Sequence, residues 1–158
     1  MIDHGETAKS LFKQGYNCSQ AVLAAFAEEL GIDFETAMKL SSSFGGGMGS
    51  LREVCGAVSG MFMVAGIKYG YDKPGDRPGK LGHYTRIQNL AGKFREENHS
   101  IVCRELLGIK PEGENLVPQE RTAEYYKKRP CAELVEHAAR IIEEYMRENE
   151  VEITEPCE

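Results

Sequence analysis

The 158-residue sequence has no hydrophobic run long enough to cross a bilayer. Its most apolar stretch runs only from Val54 to Ile67 and is interrupted by Ser59 and by Gly56, Gly60 and Gly66, short of the roughly 20 residues a span needs. A basic cluster is missing as well. Lys and Arg number 19 against 25 Asp and Glu, for a net charge of −6, a balance poorly suited to phosphate backbones or anionic membrane surfaces. Neither nucleic acid nor membrane insertion is therefore expected. No basic segment followed by an apolar one opens the chain, which predicts a cytoplasmic protein. Period-two alternation of Val, Ile and Thr is nearly absent, and so are internal repeats and low-complexity tracts. No Cys-x-x-Cys occurs, which removes a local zinc ribbon or a thioredoxin-type dithiol. No Cys-x-x-Cys-His occurs either, so a covalently attached c-type haem is excluded.

Cysteine itself is present, at Cys18, Cys55, Cys103, Cys131 and Cys157. In a compartment that keeps thiols reduced, these residues point to structure, metal binding or redox chemistry, not to a disulfide scaffold. The rest of the composition, 41% hydrophobic and 28% charged, is that of an ordinary globule.

Apolar residues recur at helical spacing. One helix is expected over Thr7 to Gln14, and a second over Cys18 to Leu30 with Asn17 as cap and Gly31 as stop. A third is expected over Phe34 to Ser43 behind Asp33, followed by a glycine loop over residues 45–49 that lets Phe44 and Leu51 both turn inward. A long apolar helix is expected from Leu51 to Tyr69 with Ser50 as cap. Further helices are placed at Lys80 to Glu97, at Ile101 to Leu107 behind Ser100, and from Pro130 to Glu148, with one short helix after Pro118. The expected fold is an all-α, single-domain, irregular bundle of four to six helices over residues 1–148. Residues 149–158 form an acidic, flexible tail that carries Cys157.

These helices place Cys18, Cys103 and Cys131 in first turns, where free amides and the helix dipole favour thiolate. Arg104 and Arg129, adjacent to two of them, push the same way. Cys55 falls in a second turn, where that pull is weaker. Each of the four also shares a helix face with apolar neighbours: Cys18 with Val22, Cys55 with Val58, Cys103 with Leu106, Cys131 with Leu134. All four thiols are thus expected to point into one core. Gly56 and Gly60, one turn apart, would let another helix or a cluster lie against the backbone. The glycine loop does not match a phosphate-binding fingerprint. His99 could supply a nitrogen near Cys103. His4, His83 and His137 read as surface residues, and the pairs Glu96-Glu97 and Glu143-Glu144 as solvated faces.

Asn17-Cys18-Ser19-Gln20-Ala21, Phe44-Gly45-Gly46-Gly47-Met48-Gly49, Cys55-Gly56-Ala57-Val58-Ser59-Gly60, Cys103-Arg104-Glu105-Leu106-Leu107-Gly108 and Cys131, in this order, resemble the C_GCAxxG_C_C family of redox-active proteins over residues 5–145. The resemblance implies a functional site at Cys18, Cys55, Cys103 and Cys131, with Cys157 outside the pattern. Two chemistries suit it. One is thiol–disulfide or electron-transfer chemistry with a redox partner or small molecule of unknown identity. The other is ligation of zinc or an iron–sulfur cluster by the same four thiolates. A structural domain with inert buried thiols is the third reading. Four cysteines allow three pairings, which spacing does not rank.

Overall fold

The computed structural model describes residues 1–109 and 117–151. Its helices are α1 (His4–Lys13), α2 (Cys18–Ala25), α3 (Ala27–Leu30), α4 (Phe34–Ser41), α5 (Gly56–Tyr69), α6 (Arg77–Asn98), α7 (Cys103–Leu107), α8 (Ala123–Lys128) and α9 (Cys131–Val151). Six of these have eight residues or more, and no strand occurs among the described residues. The all-α expectation therefore holds. Cys157 lies outside the described residues.

α9 shows why the bundle forms. Leu134, Val135, Ala138, Ala139, Ile142 and Met146 are buried at helical spacing, one apolar stripe facing inward. α9 packs on α1, α2 and α5; α1 also packs on α2, and α2 on α5. Phe12, Phe26, Leu23, Met61, Leu90 and Phe94 fill the space between them, all 2% exposed or less. No helix among the described residues is long and apolar enough to cross a membrane.

The caps explain most of the boundaries. Asn17 and Gln20 form a reciprocal capping box at α2: Asn17 Oδ1 accepts from the Gln20 amide and Gln20 Oε1 from the Asn17 amide. Asp33 caps α4 through the Thr36 amide at 2.9 Å. Gly31 and Gly108 stop their helices in the left-handed region, at φ 70° and 64°.

Five expectations change. α1 begins at His4, because Asp3 accepts from the Glu6 amide and caps it. The α2 run breaks at Phe26, whose amide bonds Leu23 three residues back. The long apolar helix starts at Gly56, not Leu51. Arg52 before it is left-handed, and Val54 pairs with Val102 as an antiparallel bridge. Ser100 does not cap a helix at Ile101. Its Oγ accepts from Val102, and α7 starts at Cys103. Leu51 is 57% exposed and does not turn inward.

Candidate functional site

α2, α7 and α9 each begin at a cysteine, Cys18, Cys103 and Cys131, and Cys55 is the residue before α5. Cys55 thus sits at the helix entry, not in a second turn. All four cysteines are free thiols that line one cavity. Segments far apart in sequence close it. The Val54–Val102 bridge, with the Cys55 amide donating to the Ile101 carbonyl at 2.7 Å and the Cys103 amide to the Glu53 carbonyl at 2.6 Å, locks two cysteine-bearing segments side by side.

Glycines allow the close approach. A Cβ at Gly56 would lie 2.4 Å from Cys18 Sγ, and one at Gly47 would lie 2.6 Å from Cys103 Cβ. A Cβ at Gly60 would lie 2.9 Å from both the Ser19 carbonyl oxygen and Val22 Cβ. The Gly56–Gly60 face is therefore the seat of α2. The glycine loop is a wall of the site. Gly46, Gly47, Met48, Gly49, Ser50 and Arg52 all have positive φ, a left-handed run that only glycine adopts without strain.

Burial outweighs the helix termini at three of the thiols. Burial pushes Cys55 well up and a charge on Cys18 adds to this, although the Ala57 and Val58 amides pull the other way. Cys103 is raised by burial, offset in part by Arg52, whose Nη1 donates to its Sγ at 3.8 Å. Cys131 is pushed up to about 12 by burial and the Cys18 charge, against Arg129. The dipole favours thiolate at these termini, but removing water from a charged sulfur costs more. Cys18 is the one thiol close enough to couple electrostatically to all three others.

The other candidates separate from the site. Arg129 lines the cavity, whereas Arg104 pairs outward with Glu53 at 3.3 Å. His99 is exposed and ends α6 in the left-handed region. His4 is buried, stacked 4.2 Å from Phe26 and held by Glu29 and Glu143, so neither His4 nor Glu143 is a solvated surface group. Among the described residues, no group of three or more His, Cys, Asp or Glu is arranged to hold a metal ion. The sequence reading missed Arg52, Arg121 and Tyr125, which also line the cavity. A loop arginine beside glycines gives no local sign that tertiary contacts will bury it.

A family model described as "Putative redox-active protein (C_GCAxxG_C_C)" matches residues 16–145. No curated protein and no solved structure matches the chain.

Proposed function

The chain belongs to the C_GCAxxG_C_C family of redox-active proteins, and from that membership we propose that it is a thiol–disulfide redox protein whose reversible site is Cys18, Cys55, Cys103 and Cys131. The observation that carries this is the meeting of four cysteines, from separate segments, around one cavity. In each turn of the reaction two thiols become one disulfide. Two protons and two electrons pass to an acceptor, and a reductant returns them.

Cys18 is the attacking thiol in this reading. It is partly exposed and opens a helix with a complete capping box. Once Cys18 is a thiolate, its charge helps to keep Cys55, Cys103 and Cys131 protonated. One nucleophile then faces three protonated partners, each able to supply the second sulfur of a disulfide.

Anaerobic equilibration with mixtures of reduced and oxidised dithiothreitol, followed by thiol counting, tests this. The count should fall from five by two or by four, reversibly, and Cys18→Ser should block the first loss. A count that stays at five at every poise would overturn the proposal. So would visible iron–sulfur absorption or stoichiometric zinc in the anaerobically purified protein.

A further inference from the structure

The four-thiol cavity is also lined by Arg52, Arg121 and Arg129 and, among the described residues, by no carboxylate or imidazole. In a chain of net charge −6, three cations around one small cavity oppose the overall balance. Arg52 is 5% exposed, its side chain donates to Cys103 Sγ, and its backbone is left-handed at φ 61°, a costly placement for a charged residue. Arg121 stacks on Phe12 with its guanidinium carbon 4.2 Å from the ring centroid, and donates to the Phe12 and Tyr16 carbonyls. Arg129 lies 4.9 Å from the Tyr125 ring and donates to Gln119 Oε1 at 2.8 Å. Among the described residues, none of the three has a carboxylate in ion-pair range. Burial disfavours the charged form of Cys55, Cys103 and Cys131, so at most the one thiol Cys18 offsets three cations.

Size narrows the ligand. The cavity offers about 50 Å³ to a water-sized sphere, room for a few waters or one small polyatomic ion, and well below the roughly 300–1,000 Å³ of pockets for drug-sized molecules. Guanidinium groups match the planar and tetrahedral faces of oxyanions in two-point hydrogen bonds.

We infer that this cavity binds a small inorganic oxyanion on Arg52, Arg121 and Arg129, and that such an oxyanion is the oxidant of the thiol site. The inference rests on the thiol–disulfide reading above. The substrate class is a group 15 or 16 oxyanion whose central atom accepts two electrons. Two thiols lose their protons and join as a disulfide, giving two electrons to that atom. One oxygen leaves it and takes both protons, departing as water. The oxyanion is then one oxygen poorer, two oxidation units lower and unchanged in charge. Arsenate is the reactive probe of this class, and phosphate its inert counterpart of the same shape.

Calorimetric titration of the anaerobic, reduced protein with phosphate should give one site. Arg52→Gln and Arg129→Gln should each weaken it by about tenfold, the loss of one charge-assisted contact. If Arg52→Gln does not fold, the partly exposed Arg129 decides the point. Arsenate should consume two thiols per arsenite formed, and phosphate should slow that reaction. Absence of phosphate binding, or binding unchanged in the folded variants, would overturn the inference. Diamide separates it from the thiol reading. Reversible diamide oxidation without anion binding removes the oxyanion and leaves the thiol site standing. Arginine-dependent phosphate binding, with thiols that neither diamide nor arsenate oxidises, removes the thiol–disulfide reading and the oxidant role with it.

Discussion

At the scale of single residues the contest is between a helix terminus and burial. A first-turn amide set favours a thiolate, yet Cys131 is pushed up to about 12 and Cys55 and Cys103 are raised. These thiols ionise later in the folded chain than in the unfolded chain, whose thiols titrate near 8.5. The folded state therefore binds more protons above that pH, and its stability must fall as pH rises. Chemical denaturation of the reduced protein should give a stability flat below about pH 8 and declining from about 8.5 upward. Cys131→Ser should flatten the decline. A stability that rises with pH up to about 8.5 and is flat above it would show that these thiols are ionised in the folded protein. The sequence located the sulfurs but left the contest between dipole and burial open, because apolar faces and helix starts are local signals and the depth of burial is not. Arg52 was invisible for the same reason. Its burial depends on a left-handed loop and on Cys103, which is 51 positions away.

Elements carry the next part of the account. Asn17 closes the capping box of α2, donates through Nδ2 to the Ser42 carbonyl at 3.1 Å, and lines the cavity. Asn17→Ala should cost about 0.5–2 kcal/mol, the usual loss for such a cap, and change the alkylation rate of Cys18. Asp33→Ala, which removes a cap at α4 away from the cavity, should destabilise while leaving the thiols unchanged. Equal thiol effects in both variants would detach the α2 cap from the site. Gly60→Ala tests the seat of α2. The added methyl meets the Ser19 carbonyl at 2.9 Å, and overpacking of about 1–3 kcal/mol exceeds the helix propensity of up to about 1 kcal/mol that alanine recovers. Thermal unfolding should show a net loss, whereas a more stable variant would mean the face is open. The cap at Asn17 and the Gly56–Gly60 face were legible because both are short-range patterns. The start of α5 was not. The apolar run from Leu51 reads as helix, but the left-handed Arg52 and the pairing of Val54 with Val102 keep its start out of one, and a contact across 48 positions leaves no periodic trace.

For the whole molecule, the all-α architecture followed from helical periodicity and the near absence of alternating patterns, and the inward faces of the four cysteines matched the one cavity they line. What periodicity could not supply was its charge. An acidic chain gathers Arg52, Arg121 and Arg129 around its thiols, with no carboxylate among the described residues of the lining. The central claim is that four of the five cysteines form one reversible redox unit in which Cys18 takes part first. Mass-spectrometric mapping of disulfides, after partial oxidation and alkylation of the remaining thiols, tests it most directly. Cys18 should appear in the first disulfide, joined to Cys55, Cys103 or Cys131, with Cys157 alkylated at every stage and dithiothreitol reversing the bond. A first disulfide that lacks Cys18 or includes Cys157 would contradict the account.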